Sequence, residues 1–144
     1  MADIIKISDA TALALHTMMH LAIYPDEQLT TAEIAKVFEA SKHHLAKVHQ
    51  RLTKAGLIFA NRGPGGGVGL AKDPAKITLL DIYEVMEDAL ICTTPCLFGK
   101  EVCPRGDCML SNLLPGLAIQ VRDYFEQTTL AQLAEQSSWG THTE

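Results

Sequence analysis

All four cysteines of the chain fall in one 17-residue run, Cys92-Thr-Thr-Pro-Cys96-Leu-Phe-Gly-Lys-Glu-Val-Cys103-Pro-Arg-Gly-Asp-Cys108. Cysteines used as small buried hydrophobes are dispersed through a core, and packing does not explain such crowding. The prolines, glycines and polar residues of the run mark a loop. A loop can turn several thiolates onto one centre, as a soft metal or an iron–sulfur cluster requires. The competing readings are a disulfide-stapled loop and four free thiols. The N-terminus has no basic stretch leading into an unbroken apolar core, so no secretory signal is expected and the expected compartment is the cytoplasm. In a reducing compartment, metal or redox chemistry is favoured over a disulfide framework. No Cys-x-x-Cys stands in a βαβ setting, which argues against a thiol oxidoreductase and, more broadly, against an enzyme.

The elements that would position this loop can be read around it. A chain of 144 residues suits one domain with an appendage. It has no run of about 18 apolar residues that could span a membrane. Its net charge of −5 conceals an asymmetry. Between Lys36 and Lys72 lie Lys42, Lys47, Arg51, Lys54 and Arg62, with Glu39 the only acid and His43, His44 and His49 as further protonatable donors. A basic segment within an acidic chain is the electrostatic footprint of phosphate binding.

Periodicity orders that segment. Ala12, Leu15, Met19, Ala22 and Ile23 have helical spacing over residues 9–23, and Pro25 follows as a stop. Thr30 and Glu33 form a capping-box pattern ahead of Ile34, Ala35 and Val37-Phe38. Ser41 can cap the next helix, which carries Leu45, Val48 and Leu52 and stops at Gly56. Two short apolar runs, 57–60 and 68–70, flank Gly63-Pro64-Gly65-Gly66-Gly67 and predict a hairpin. Helix, turn, helix, hairpin is the order of a winged helix-turn-helix. The glycines do not fit a phosphate-cradling loop, because no helix starts after them. They suit a wing tip that approaches DNA closely, with Arg62 at its base placed to enter a minor groove.

The Ala-Glu-Ile-Ala of the first motif helix, Arg-Leu-Thr-Lys-Ala-Gly-Leu-Ile after it, the Arg-Gly-Pro-Gly-Gly-Gly wing and Ile-Thr-Leu-Leu-Asp-Ile resemble the Rrf-type winged-helix regulators, which include IscR and NsrR. The cysteine loop, followed by Met109-Leu110, is similar to the family's sensor segment, and the resemblance covers roughly residues 5–135. It implies a mainly α fold with a small β-hairpin wing. It further implies a homodimeric bacterial transcription factor on double-stranded operator DNA, with a long C-terminal dimerisation helix. Leu110, Leu113, Leu114, Leu117, Val121, Tyr124 and Phe125 independently form an apolar stripe there. The expected partition is residues 1–88 for DNA binding, 89–110 for the cysteine loop, 111–136 for the dimerisation helix and 137–144 for a flexible tail.

By position in the motif, Lys42, His43, His44 and Lys47 are expected to face the major groove, with Arg51 further along and Arg62, Gly65 and Gly66 in the wing. His43 and His44 could instead be ordinary surface histidines. The resemblance also implies the sensor ligands. Cys103 and Cys108 match the family's last two, and the first is Cys96, which is favoured, or Cys92. Where IscR-like members place a histidine three residues after the last cysteine, this chain has Ser111. A fourth ligand would be the spare cysteine, His16 on the first helix or, last, Asp9. The implied cofactor is an iron–sulfur cluster, 2Fe–2S ahead of 4Fe–4S. The alternative is a cluster-free regulator of the same fold using zinc or thiol–disulfide chemistry at the loop.

Overall fold

The computed structural model describes residues 5–87, 110 and 113–138. Helix α1 spans Asp9–Ile23, and Ser8 caps it by accepting from the Thr11 amide. Its inward residues Ala14, Met18 and Leu21 are buried. Helix α2, Thr31–Val37, starts at the Thr30–Glu33 capping box, in which the Thr30 amide donates to Glu33 Oε2 at 2.7 Å and the Glu33 amide to Thr30 Oγ1 at 3.3 Å. Helix α3, Lys42–Lys54, is capped by Ser41. The turn between α2 and α3 passes through Glu39 at φ 51, a left-handed conformation uncommon for a side chain of its size. Three sequence-predicted helices thus start at the residues whose oxygens can satisfy free first-turn amides.

Gly56, at φ 75, ends α3 and turns the chain into β1, Ile58–Ala60. Antiparallel β2, Val68–Leu70, pairs with it in the register Ile58–Leu70, Phe59–Gly69 and Ala60–Val68. The hairpin is anchored at the turn end of its strands, where the Val68 amide donates to the Leu29 carbonyl at 2.9 Å. Ile58 and Val68 face inward. Together with Leu45, Val48, Leu52 and the inner face of α1, they form one core beneath the helix-turn-helix. This is the mainly helical chain with a small hairpin wing that the residue pattern implies.

A short 3-10 turn, Pro74–Lys76, leads to helix α4, Leu79–Met86, which opens on a Thr78–Asp81 capping box. Helix α5 covers Leu113–Gln127 and helix α6 covers Leu130–Gln136. One helix was expected over 111–136, and among the described residues there are two. The cause is local. Thr129 caps α6 in a box with Gln132, while Leu79 N–H donates to the Thr128 carbonyl and Leu130 N–H to that of Ile77. This bridge draws the chain back against the start of α4 and buries Leu130 completely. Helix α6 packs on α1, whereas α5 packs on α4 through Tyr83 and Phe125, whose rings meet edge to face at 5.8 Å. Leu113, Ile119 and Tyr124 on α5 remain more than half exposed. No helix among the described residues is long and apolar enough to cross a membrane.

Candidate nucleic-acid interface and its link to the cysteine segment

Helix α3 divides cleanly. Leu45, Val48, His49 and Leu52 point into the core, while Lys42, His43, Lys47, Gln50 and Lys54 are exposed and His44 is half-buried. At 3.6 residues per turn, His43, Lys47, Gln50 and Lys54 recur every three to four positions and line the side opposite the core. Four of the sequence-predicted groove residues, Lys42, His43, His44 and Lys47, therefore lie on the early turns of one solvent-facing helix. Gln50 and Lys54 were missed as groove-facing candidates. The 43–47–50–54 spacing was the available signal, and a search weighted towards early basic residues passes over a late amide.

Arg51 belongs to a different contact. Its Nη2 donates to the Val85 carbonyl at 2.7 Å, joining the last turn of α3 to the last turn of α4. His49, counted by sequence among the protonatable donors, is also placed differently. Its Nδ1 lies 2.9 Å from Thr31 Oγ1 and its Nε2 3.4 Å from Thr17 Oγ1, so one ring ties α3 to α2 and α1. Burial pushes its pKa down to about 4. At neutral pH it is an uncharged strut of the motif and contributes no positive field.

In the wing, Arg62 is exposed beside Gly63, Pro64 and Gly65. Gly65 holds φ 75 with open space around it. Gly66 is constrained, because an added Cβ would run into the Asn61 carbonyl oxygen and lie 2.8 Å from that of Gly63. The tip thus pairs a freely approachable glycine with one that its own turn requires.

The cysteine run, with Cys92, Cys96, Cys103 and Cys108, lies outside the described residues, but the junction that leads into it is described. Glu87, just after α4, is buried, and its Oε1 accepts from the Ser8 amide at 2.9 Å and from the Thr11 hydroxyl. Burial raises the pKa of this carboxyl, but hydrogen bonds from Thr11 and Ser8 and the charge of Lys6 outweigh it and hold it below the usual value. The charged form therefore persists inside the fold, since it accepts the hydrogen bonds it needs. The neighbouring Tyr83 hydroxyl is pushed up, first by burial and then by the Glu87 charge.

His16 is exposed on α1, its Nδ1 2.7 Å from the Ala12 carbonyl and its ring edge-on to Phe38. A carbonyl oxygen can only accept, so Nδ1 carries the proton and, in the neutral ring, Nε2 carries the lone pair. Metal-ligating histidines are commonly oriented in this way. Asp9 lies in the first turn of α1. Among the described residues no three His, Cys, Asp or Glu side chains gather into a metal site. The fit to an iron–sulfur centre or zinc therefore rests on the donor chemistry of four thiols in one short run.

A sequence profile of the Rrf2 family, described as an iron-dependent transcriptional regulator, matches residues 7–136. The chain is 36% identical over 129 residues to a candidate HTH-type transcriptional regulator of Aquifex aeolicus, spanning 88% of this chain and 89% of that one. It is 31% identical over 122 residues to the HTH-type transcriptional regulator IscR of Serratia proteamaculans, covering 83% of this chain and 73% of IscR. Among solved structures it is similar to CymR, the global cysteine regulator of B. subtilis, with a TM-score of 0.78 and 27% identity over 93% of this chain and 99% of CymR.

Proposed function

The chain belongs to the Rrf2 family of transcriptional regulators, and from that premise we propose that it is a homodimeric, cytoplasmic regulator that binds operator DNA under the control of its cysteine segment. The observation that carries this reading is the division of α3 into a buried apolar face and an exposed face bearing His43, Lys47, Gln50 and Lys54. Such a face suits a major groove, with Lys42 and Lys47 on phosphates or guanine edges and Gln50 able to pair with adenine. Arg62 and the glycine tip reach the flanking minor groove. The exposed Leu113, Ile119 and Tyr124 of α5 offer a second copy an apolar contact surface.

In this reading the cysteine segment carries an iron–sulfur cluster, of the 2Fe–2S type ahead of 4Fe–4S. Cys96, Cys103 and Cys108 would hold it, with Cys92 or His16 as the fourth donor. The cluster would supply sensitivity to redox state, nitric oxide or iron–sulfur supply. The Nδ1–H to Ala12 contact favours His16 among the non-cysteine donors by setting its tautomer. The resemblance to CymR supports a second reading, in which the same thiols respond without iron, by zinc binding or disulfide exchange.

Two measurements test the proposal. Iron, sulfide and zinc per chain, with an anaerobic absorption spectrum, separate the two sensor readings. Stoichiometric iron and sulfide with visible charge-transfer bands support the cluster. A colourless protein with zinc, or with four free thiols, supports the second reading. A duplex selected from a random library tests DNA binding. Lys47→Ala should lower the slope of log affinity against log salt by about one; an unchanged selected sequence marks Lys47 as a phosphate contact and a relaxed one as a guanine contact. Absence of any selected sequence would overturn the DNA-binding assignment.

A further inference from the structure

A cleft lies between the end of α1 and the wing. Its volume is about 240 Å³, and its lining includes Leu21, Tyr24, Phe59 and Leu70 together with Glu27 and Lys72. That volume exceeds the roughly 150 Å³ that accommodates a benzene ring and falls below the roughly 300 Å³ at which sites for drug-sized molecules begin. It suits one ring with a short polar tail. Phe59 alternates with the inward-facing Ile58 and is 41% exposed, a large apolar side chain that the core does not use. Its ring lies over Gly69, where an added Cβ would stand 2.6 Å from Phe59 Cζ. Glycine at 69 therefore lets the ring settle on the strand as one wall of the cleft.

Two opposite charges mark the lining. Glu27 and Lys72 are both exposed. Among the described residues no ion pair joins them, and the one partner of Glu27 is His20, whose Nε2 lies 3.5 Å from Oε2. The His20 ring is buried 4.9 Å from that of Tyr24, and its Nε2 has no hydrogen-bond partner among the described residues. Asp73, next to Lys72, is occupied by the Ala75 amide at 2.9 Å. An apolar cleft lined by one cation and one carboxylate is complementary to a small zwitterion with an apolar body.

We propose that this cleft binds a free α-amino acid with an aromatic side chain: Lys72 takes its carboxylate, Glu27 takes its ammonium, and Leu21, Tyr24, Phe59 and Leu70 enclose the ring. One wall belongs to α1 and the loop after it, the other to the wing. The two are already tied where the Val68 amide donates to the Leu29 carbonyl, and a ligand seated between them adds a second tie. A wing braced in this way holds Arg62 in place, so DNA affinity responds to the amino acid. That consequence, unlike the site itself, rests on the DNA-binding reading.

The test is an NMR titration of the full chain with L-phenylalanine, phenethylamine and 3-phenylpropionate. The last two keep the ring and one charge each. L-phenylalanine should bind with a Kd of about 1 mM or tighter, the range open to a ligand of its size, with shifts centred on Phe59, Gly69 and Leu70. Each single-charge analogue should bind about twofold to fivefold more weakly, the scale of a solvent-exposed ion pair. Lys72→Gln should abolish the preference over phenethylamine, and Glu27→Gln the preference over 3-phenylpropionate. Phe59→Ala should weaken binding about threefold to tenfold through the lost ring contact. All three side chains are exposed, so the variants should fold, and a thermal melt of each checks this. Amide exchange at Val68 should slow when L-phenylalanine is bound. No saturable shift up to about 10 mM, shifts centred away from the cleft, or analogues that bind as tightly as L-phenylalanine would overturn the inference. Amino-acid binding by a protein that selects no duplex would sink the DNA-binding reading and leave the site standing.

Discussion

The Ser8 amide donates to Glu87 Oε1 at 2.9 Å across 79 residues of sequence, joining the cap of the first helix to the last described residue before the cysteine run. The Thr11 hydroxyl shares the same oxygen, and the Ser8 and Thr11 hydroxyls lie 3.0 Å apart. Three polar groups thus close on one buried carboxylate, where leaving any of them unpaired is costly.

Glu87→Ala should therefore destabilise the fold by about 2 kcal/mol in urea unfolding, because it strands the Ser8 amide and leaves the Thr11 hydroxyl only that of Ser8 as a partner. Glu87→Gln, which retains an acceptor, should cost about 1 kcal/mol. The pKa of Glu87 is lowered in the fold, so the stability it contributes is present above its ordinary value of 4.5 and is lost as pH falls through the folded value. Glu87→Gln should flatten the acid limb of the stability profile below that point.

His49 acts in a higher window. Its folded pKa is about 4 against 6.5 in the unfolded chain, so the unfolded state binds the extra proton between those values. Stability is fully present above about pH 6.5 and falls as the medium is acidified towards pH 4, by at most about 1.4 kcal/mol per pH unit. His49→Gln should remove this slope while lowering stability at neutral pH. Denaturation midpoints from pH 7 to 4.5 check it, and a slope unchanged in the variant would assign the effect to another group.

The wing depends on close approach at Gly67. A Cβ there would lie 2.8 Å from the Gln28 carbonyl carbon and 2.9 Å from the Leu29 carbonyl oxygen, both backbone atoms that cannot rotate away. Gly67→Ala should cost about 1–3 kcal/mol and loosen the wing from the loop ahead of α2. Gly116→Ala, on α5 where an added Cβ would meet no described atom within 4 Å beyond its own helix backbone and chain neighbours, should instead gain about 0.5–1 kcal/mol within the protomer. Thermal melts of the pair test the contrast.

What the sequence made legible follows from where the deciding interactions lie. Ser41, Thr30 and Gly56 mark helix ends through groups within four residues of one another, so the helix-turn-helix and its hairpin could be read locally. The break at Thr129 has a local signature, the Thr129-Leu-Ala-Gln132 capping pattern, which the apolar stripe of one long helix passes over, whereas the bridge to Thr78 that fixes it is not local. Charge and position mark Arg51 as a DNA-binding residue and His49 as a protonatable donor of the basic segment. Their partners, Val85, Thr31 and Thr17, lie 18 to 34 residues away and redirect both side chains inward or sideways. Gln50 shows the reverse: an uncharged residue on the proposed DNA face carries no charge signal to find it by. The ligand set of Cys92, Cys96, Cys103 and Cys108 falls outside the described residues and stands on the family resemblance and on donor chemistry.

The most direct measurement is the affinity of the anaerobically purified protein for its selected duplex, before and after the four cysteines are chemically modified. A cysteine-controlled regulator should show a change of at least about tenfold, equivalent to about 1.4 kcal/mol of coupling between the two sites. Superimposable binding curves in the two states, with modification of all four thiols verified, would contradict it.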